Sequence, residues 1–132
     1  MTTTYRYAVQ CKPPAPFVAV SLSTSDGTVV VRDLPAQIDT AADRTIVPSA
    51  VIETLQLSPS RQSPFEGLGG ALTRLSLFEL LIAVQPLAFG SVEVAARPDE
   101  QYVLLGRDVL NQYRIVLDGP RSMLEIGQSR QR

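Results

Sequence analysis

Prolines and glycines divide this chain into short apolar segments, and this spacing limits what it can fold into. The sequence holds ten prolines and eight glycines, which separate brief runs of Val, Ile, Leu and Thr. Helix interiors tolerate neither residue well, whereas short strands joined by turns accommodate both. At 132 residues the chain is long enough for one domain with its own core. The sequence therefore predicts a single all-β domain with one or two short helices.

Alternating and continuously apolar runs predict the positions of the strands. We expect strands at residues 5–9, 17–22, 28–32, 36–38, 91–95, 102–105, 115–117 and 123–126. Short helices are expected at residues 49–55 and 107–113, and a loop at residues 58–64. The stretch 72–84 is ambiguous, since helical spacing and two buried strands both fit its apolar residues Leu75, Phe78, Leu81 and Ile82.

Missing residue types exclude many kinds of chemistry. The chain has no histidine, one cysteine (Cys11) and one lysine (Lys12). Histidine-based triads, multi-cysteine metal sites and an internal disulfide are therefore excluded. A net charge of −1 gives no basic surplus for nucleic acid, and the apolar runs are too short to span a bilayer. We expect a soluble, cytoplasmic protein whose chemistry depends on carboxylate, arginine, hydroxyl or tyrosine groups.

Three segments contain candidate functional residues. The first is Asp-Thr-Ala-Ala-Asp at residues 39–43, where an apolar strand runs into a carboxylate; Asp39 alone fits either a catalytic group or the cap of a turn. The second is Glu-Gly-Leu-Gly-Gly at residues 66–70, which fits a flexible connector or the tip of a hairpin. The third is Leu-Leu-Gly-Arg-Asp-Val-Leu at residues 104–110, in which Arg107 fits either a group that reaches a carboxylate or an exposed residue of a strand-to-helix turn.

Taken in this order, the three segments resemble the retropepsin-like aspartic proteases, the single-domain relatives of retroviral proteases. Residues 39–43 resemble the Asp-Thr/Ser-Gly-Ala-Asp active-site loop of that family, and residues 66–70 resemble its glycine-rich flap. Residues 104–110 resemble its apolar-apolar-Gly-Arg-Asp/Asn segment. The resemblance implies a closed β-barrel over residues 17–126. Residues 1–16 would form an N-terminal strand with a proline-rich lead-in, and residues 127–132 a flexible tail.

The resemblance also implies roles for individual residues. Asp39, Thr40 and Ala41 would form the catalytic loop, and the substrate would contact Ala42, Asp43, Gly67, Leu68, Gly69 and Gly70. Arg107 would pair with Asp43 to support that loop, and residues 72–84 would be strands. Because the chain carries one such loop, activity would require a homodimer acting on a peptide or protein, with no cofactor or metal. Residues 115–117 and 123–126 would build the dimer sheet.

Ala41 departs from the family pattern, which has glycine at this position. Its methyl group would lie where the substrate backbone passes over the carboxylates. Two interpretations stay open beside the protease. Ala41 motivates the first, a non-catalytic dimer of the same fold that binds peptides or supports assembly. The second is an unrelated small β-barrel in which Asp39 is only a cap.

Overall fold

The computed structural model describes residues 2–66, 70, 72–87 and 90–128. This part of the chain contains ten strands and two short helices, which follow one another as β1 (Thr2–Arg6), β2 (Phe17–Ser23), β3 (Val30–Ile38), β4 (Ile46–Pro48), α1 (Ser49–Leu55), β5 (Arg61–Glu66), β6 (Leu72–Val84), β7 (Gly90–Arg97), β8 (Val103–Leu105), α2 (Arg107–Leu110), β9 (Tyr113–Asp118) and β10 (Met123–Gln128). Neither helix is long and apolar enough to cross a membrane.

Six strands close into a barrel. They are neighbours in the order β2, β3, β8, β4, β7 and β6, and β6 pairs again with β2 to close the ring. Strand β5 is attached to the outer part of β6, and β1, β10 and β9 form a separate three-stranded sheet in that order. The expected closed β-barrel is therefore confirmed.

Apolar side chains from both sheets fill one core. The barrel strands contribute side chains with no exposed surface, including Val20, Leu22, Leu80, Val94 and Leu105. Leu124 and Ile126 of β10 belong to the same cluster, so the three-stranded sheet packs against the barrel. Each such side chain contributes about 1.5–3 kcal/mol through burial, and this apolar packing stabilises the fold.

The long segment Leu72–Val84 is a single strand rather than a helix, as the family resemblance implies. Its helical spacing is misleading because apolar residues lie on both faces of the strand. Leu80 and Ile82 point into the main core, whereas Leu75 and Leu77 belong to a second small cluster. Pairing with β2, β5 and β7 outweighs the local helical propensity of this segment.

The predicted loop at residues 58–64 is wrong from residue 61 onwards, where β5 begins. Its serine and proline content suggested a loop, but antiparallel pairing with β6 from Arg61 opposite Leu77 to Glu66 opposite Leu72 makes it a strand. Pro64 is tolerated because β5 lies at the edge of its sheet, where a missing N–H need not cost a ladder bond.

Several boundaries also differ from the predictions. The first strand occupies residues 2–6 rather than 5–9, because its register is set by pairing with β10. Residues 30–32 of the run 28–32 belong with 36–38 to one strand, β3, which begins at Val30 and in which a bulge near Asp33 (φ 58°) shifts the register. Strand β4 was not predicted, and α2 ends at Leu110. Gly127 and Gln128 lie in β10, so the tail prediction is wrong for both; residues 129–132 are outside the described part.

Parallel pairing brings the first and third candidate segments together. Ile38 at the end of β3 lies opposite Leu105 at the end of β8, and the two strands run in the same direction. The residues that follow them, Asp39 and Gly106, therefore leave the sheet side by side. This pairing positions the candidate site.

Candidate active site

Asp39 begins a tight loop that hydrogen bonds fix at both ends. Its N–H donates to the carbonyl of Leu105 at 3.0 Å, and its own carbonyl accepts from the N–H of Ala42 at 3.2 Å. The Ala41 N–H donates to Asp39 Oδ1 at 3.2 Å. The half-buried carboxylate is thus held at one oxygen by the backbone, while Thr40 and Ala41 are exposed beside it.

Ala41 occupies its position without backbone strain. Among the described non-glycine residues, positive φ occurs at Asp33, Gln56 and Ser122, and Ala41 is not one of them. A glycine is therefore not required at position 41 for conformational reasons. The loop therefore has a backbone conformation at this position that accommodates alanine.

Arg107 supports the loop, but through a different partner from the one expected. Its Nη1 donates to the carbonyl of Thr40 at 2.8 Å, and its backbone N–H donates to the carbonyl of Ala42 at 2.9 Å. Although both residues are described, no ion pair joins Arg107 to Asp43, so the predicted pairing is wrong. Both side chains are exposed, and the guanidinium satisfies loop carbonyls instead.

A buried threonine and an aspartate beneath the loop were missed from the sequence. Thr45 has no exposed surface; its Oγ1 donates to Asp108 Oδ1 at 2.7 Å, and its N–H donates to Asp108 Oδ2 at 3.0 Å. The same hydroxyl accepts from the N–H of Gly106 at 3.1 Å. Within residues 104–110 the sequence indicates a contact for Arg107, whereas the adjacent Asp108 makes the bidentate contact with Thr45.

Gly106 allows the two loops to touch. A Cβ built on it would lie 2.6–2.9 Å from the backbone of Arg44, closer than real Cβ contacts allow. The backbone of Gly106 is extended (φ −87°), so this glycine is needed for space rather than for a left-handed conformation. The chain after β8 can therefore pack directly against the chain after Asp43.

Most of the second candidate segment lies in sequence between β5, which ends at Glu66, and β6, which begins at Leu72. The two strands pair antiparallel, and Gly70 has the positive φ (78°) that glycine favours in a turn. Gly67, Leu68 and Gly69 lie outside the described residues. Leu72, the first residue of β6, is 72% exposed, which is unusual for a large apolar side chain.

A small apolar cluster connects the hairpin to the Asp39 loop. It comprises Ile46, Leu77 and Ala95, with Leu75 and Leu104 packed against them, and it is separate from the barrel core. Leu104 precedes the residue whose carbonyl holds Asp39, while Leu75 and Leu77 lie in the hairpin strand β6. The cluster thus joins the hairpin strand β6 to the strand β8 that leads to the Asp39 contact.

Comparisons with known proteins agree with this architecture. No protein-family model and no curated protein matches the chain. Among solved structures, a retropepsin-like aspartic protease from Rickettsia conorii is similar with a TM-score of 0.61 and 12% identity, over 96% of this chain and 91% of that one. The EIAV protease, solved with the inhibitor HBY-793, has a TM-score of 0.54 and 20% identity, over 74% of this chain and 86% of that one.

A further similarity is to the foamy viral protease-reverse transcriptase, with a TM-score of 0.54 and 19% identity over 75% of this chain and 12% of that one. At these identities the similarity establishes the fold. The chain has a retropepsin-like fold, the fold of a class of aspartic proteases. The interpretation as an unrelated small β-barrel is therefore wrong.

Proposed function

We propose that this chain is an aspartic endopeptidase that hydrolyses peptide bonds as a symmetric homodimer, with one Asp39 from each subunit. The observation that carries the proposal is the position of Asp39. It is the first residue of a hydrogen-bonded loop at the end of a barrel strand, with its carboxylate half exposed, in a retropepsin-like fold. A single chain supplies half of the required carboxylate pair.

The proposed reaction uses water and the two carboxylates. Two carboxylates held about 3 Å apart share one proton. The ionised Asp39 takes a proton from water, whose oxygen attacks the scissile carbonyl carbon, while the protonated Asp39 donates a hydrogen bond to the carbonyl oxygen. The tetrahedral intermediate then collapses as the C–N bond breaks, and the amine nitrogen receives the proton that the first Asp39 took from water. Ala41 N–H keeps the carboxylate oriented, and Arg107 holds the Thr40 carbonyl.

Strand β9 is the best candidate for the dimer sheet. Of the two segments expected there, 123–126 lies in β10, which already pairs on both sides with β1 and β9. Strand β9 is at the edge of that sheet, and Val116 and Leu117 are 36% and 49% exposed. An exposed, apolar edge strand favours pairing with another strand.

The sequence of β9 is complementary to itself in one antiparallel register. If two copies pair about Val116, Arg114 lies opposite Asp118 of the partner subunit, and Ile115 lies opposite Leu117 of the partner subunit. Opposite charges and apolar pairs facing each other stabilise antiparallel strands. A shift by two residues would place Val116 opposite Asp118 or Arg114 of the partner subunit, so we propose the register centred on Val116.

The proposed substrate is an extended peptide with apolar residues around the cut bond. It would lie between the Asp39 loop and the β5–β6 hairpin, over the apolar cluster of Ile46, Leu77 and Ala95. The hairpin tip at residues 67–70, together with Ala42 and Asp43, is proposed to hold the peptide backbone. Hairpin closure over a substrate excludes water and fixes its orientation.

The test is cleavage of a mixed peptide library between pH 3 and pH 7. Asp39→Asn should lower cleavage by about a thousandfold or more, because the pair loses its general base. Asp33→Asn is a matched control: it makes the same chemical change on an exposed residue of β3, the strand that precedes Asp39, at a backbone conformation that Asn also tolerates. Statine-type peptides, whose hydroxyl mimics the attacking water, should inhibit. Cleavage by Asp39→Asn at the native rate would contradict the proposal.

Ala41 favours one alternative, a dimer of the same fold that binds peptides without cutting them. Ala41 is exposed and its N–H is bonded to Asp39 Oδ1, and under this alternative its methyl group hinders the approach of a substrate to Asp39. This alternative predicts that the native chain binds library peptides or statine-type peptides as a dimer with no cleavage. It also predicts that Ala41→Gly gives no proteolysis.

A further inference from the structure

The β5–β6 hairpin has few connections to the barrel. Strand β5 pairs with β6 alone, and β6 begins to pair with β7 at Leu77. Residues 61–66 and 72–76 therefore form a two-stranded ribbon that projects beyond the barrel. Isolated two-stranded ribbons are only marginally stable, so contacts at the root decide where such a ribbon points.

One carboxylate binds the root of this ribbon. Glu93 of β7 accepts two hydrogen bonds from the Arg61 guanidinium, from Nη2 at 2.7 Å and from Nε at 3.1 Å. Its other oxygen lies 2.8 Å from Ser60 Oγ, and the Ser60 N–H donates to the carbonyl of Leu77 at 2.7 Å. Arg61 lies opposite Leu77, in the first row of the ribbon, so its side chain reaches across β6 to β7.

The same residue also contacts the chain that leaves the Asp39 loop. Arg44 Nη1 donates to the Glu93 carbonyl at 2.9 Å and lies 3.5 Å from Glu93 Oε1. The backbone of Arg44 is the surface against which Gly106 packs. Glu93 is therefore bonded on one side to the ribbon root and on the other to the segment that carries Asp39 and Asp43.

The charges around Glu93 make this arrangement specific. Glu79 lies directly opposite Glu93 on β6, a like-charge pair that would repel without a cation nearby. Arg61 and Arg44 supply two positive charges, and the forked guanidinium of Arg61 fits a carboxylate in one orientation. The hydrogen bonds from Arg61 and Ser60 lower the pKa of the Glu93 carboxyl.

We propose that Glu93 is a positioning residue that clamps the root of the β5–β6 hairpin to the Asp39 loop, and so sets how the hairpin closes over a bound peptide. The part that concerns the peptide rests on the proposed protease function. The clamp itself is a property of the hairpin and is measured without any substrate.

The first experiment measures amide hydrogen exchange of the full-length chain. Glu93→Gln keeps the size of the side chain and removes its charge, and should accelerate exchange in residues 61–66 and 72–76 by about tenfold, with β2 and β8 unchanged. Asp99→Asn is the control, because it removes the carboxylate of another ion pair of β7, with Arg97 at 3.2 Å, on an exposed turn. Unchanged hairpin exchange in Glu93→Gln, or equal acceleration across the barrel, would overturn the clamp.

A second variant changes Arg61, the ion-pair partner of Glu93. Arg61 is more than half exposed, so Arg61→Gln should fold normally and should also accelerate hairpin exchange. The double variant should behave as Glu93→Gln alone, because both changes remove the same bonds. Additive effects of the two substitutions would contradict the proposal.

The kinetic readout separates the clamp from the protease function. With a cleaved peptide, Glu93→Gln should raise KM by about tenfold and change kcat by less than about twofold, because the hairpin holds the substrate in both ground and transition states. Selective hairpin loosening in a chain that cuts no peptide would leave the clamp standing and remove the protease function. If the native chain cleaves peptides but Glu93→Gln shows normal hydrogen exchange and normal kinetics, the protease function stands and the clamp is removed.

Discussion

The Asp39 loop and the β5–β6 hairpin adjoin strands that share one small apolar cluster, but they are held in opposite ways. Backbone hydrogen bonds to Leu105, Ala42 and Arg107 fix the loop from several directions. The hairpin is paired along one strand and tied at its root through Glu93. This difference matches two requirements of catalysis on a peptide: reacting groups need fixed positions, whereas the element that covers a substrate must open and close.

The largest loss of stability is expected from adding one carbon at Gly106, where the two loops meet. Gly106→Ala would place a Cβ 2.6 Å from the Arg44 backbone and should lower the free energy of unfolding by about 3 kcal/mol, because backbone must move to relieve the overlap. Gly119→Ala is the control, since nothing lies within 4 Å of its Cβ position. Thermal melts of the two variants should differ clearly; equal melting temperatures would mean that the loop is not held tightly.

A smaller effect is expected from Ala41→Gly. Because Ala41 has no positive φ, glycine relieves no strain and adds freedom to the unfolded chain, so stability should fall by roughly 0.4–1 kcal/mol. Removal of the methyl group should at the same time speed cleavage if it narrows the cleft. Calorimetry and turnover on one peptide check both parts; increased stability would show that the native loop is strained at this residue.

The smallest expected effect is the loosening of the hairpin root at acidic pH. Hydrogen bonds from Arg61 and Ser60 lower the pKa of Glu93 below its ordinary value of 4.5, so the clamp is fully present above that pH and is lost as pH falls through the lowered pKa. Titration of the Glu93 carboxyl by NMR should give a midpoint below 4.5, and Arg61→Gln should move it upwards. An unchanged midpoint in that variant would separate Arg61 from the clamp.

The sequence predicted the fold class and the placement of the candidate catalytic segment better than it predicted contacts. Proline and glycine spacing identified a β domain, and the helix at residues 49–55 is confirmed. Leu72–Val84 was ambiguous from periodicity, because a strand with apolar residues on both faces has no clear period of two. Strand β5 was not predicted because its serine and proline content is typical of a loop. Its conformation depends on pairing with a partner in another part of the chain.

Side-chain partners were beyond the reach of motif reasoning. Arg107 was assigned to a carboxylate, but the loop presents the Thr40 carbonyl to it. Thr45 and Asp108 contact each other across 63 positions, and neither has a local feature that indicates the pair. Glu93 is one charged residue in an alternating strand, which normally indicates only a solvent-facing position. Such pairings follow from tertiary geometry, which the sequence does not display.

The parallel pairing of β3 with β8 has a consequence for the order of events during synthesis. Arg107 is added to the growing polypeptide 67 positions after Thr40, whose carbonyl it holds, and the Leu105 carbonyl that fixes Asp39 is made just before it. A nascent chain that still lacks β8 carries Asp39 on an unanchored segment. The distance between these partners also slows folding, because long-range contacts require closure of a large loop. The aspartate is therefore held in place only after the chain up to Arg107 has left the ribosome.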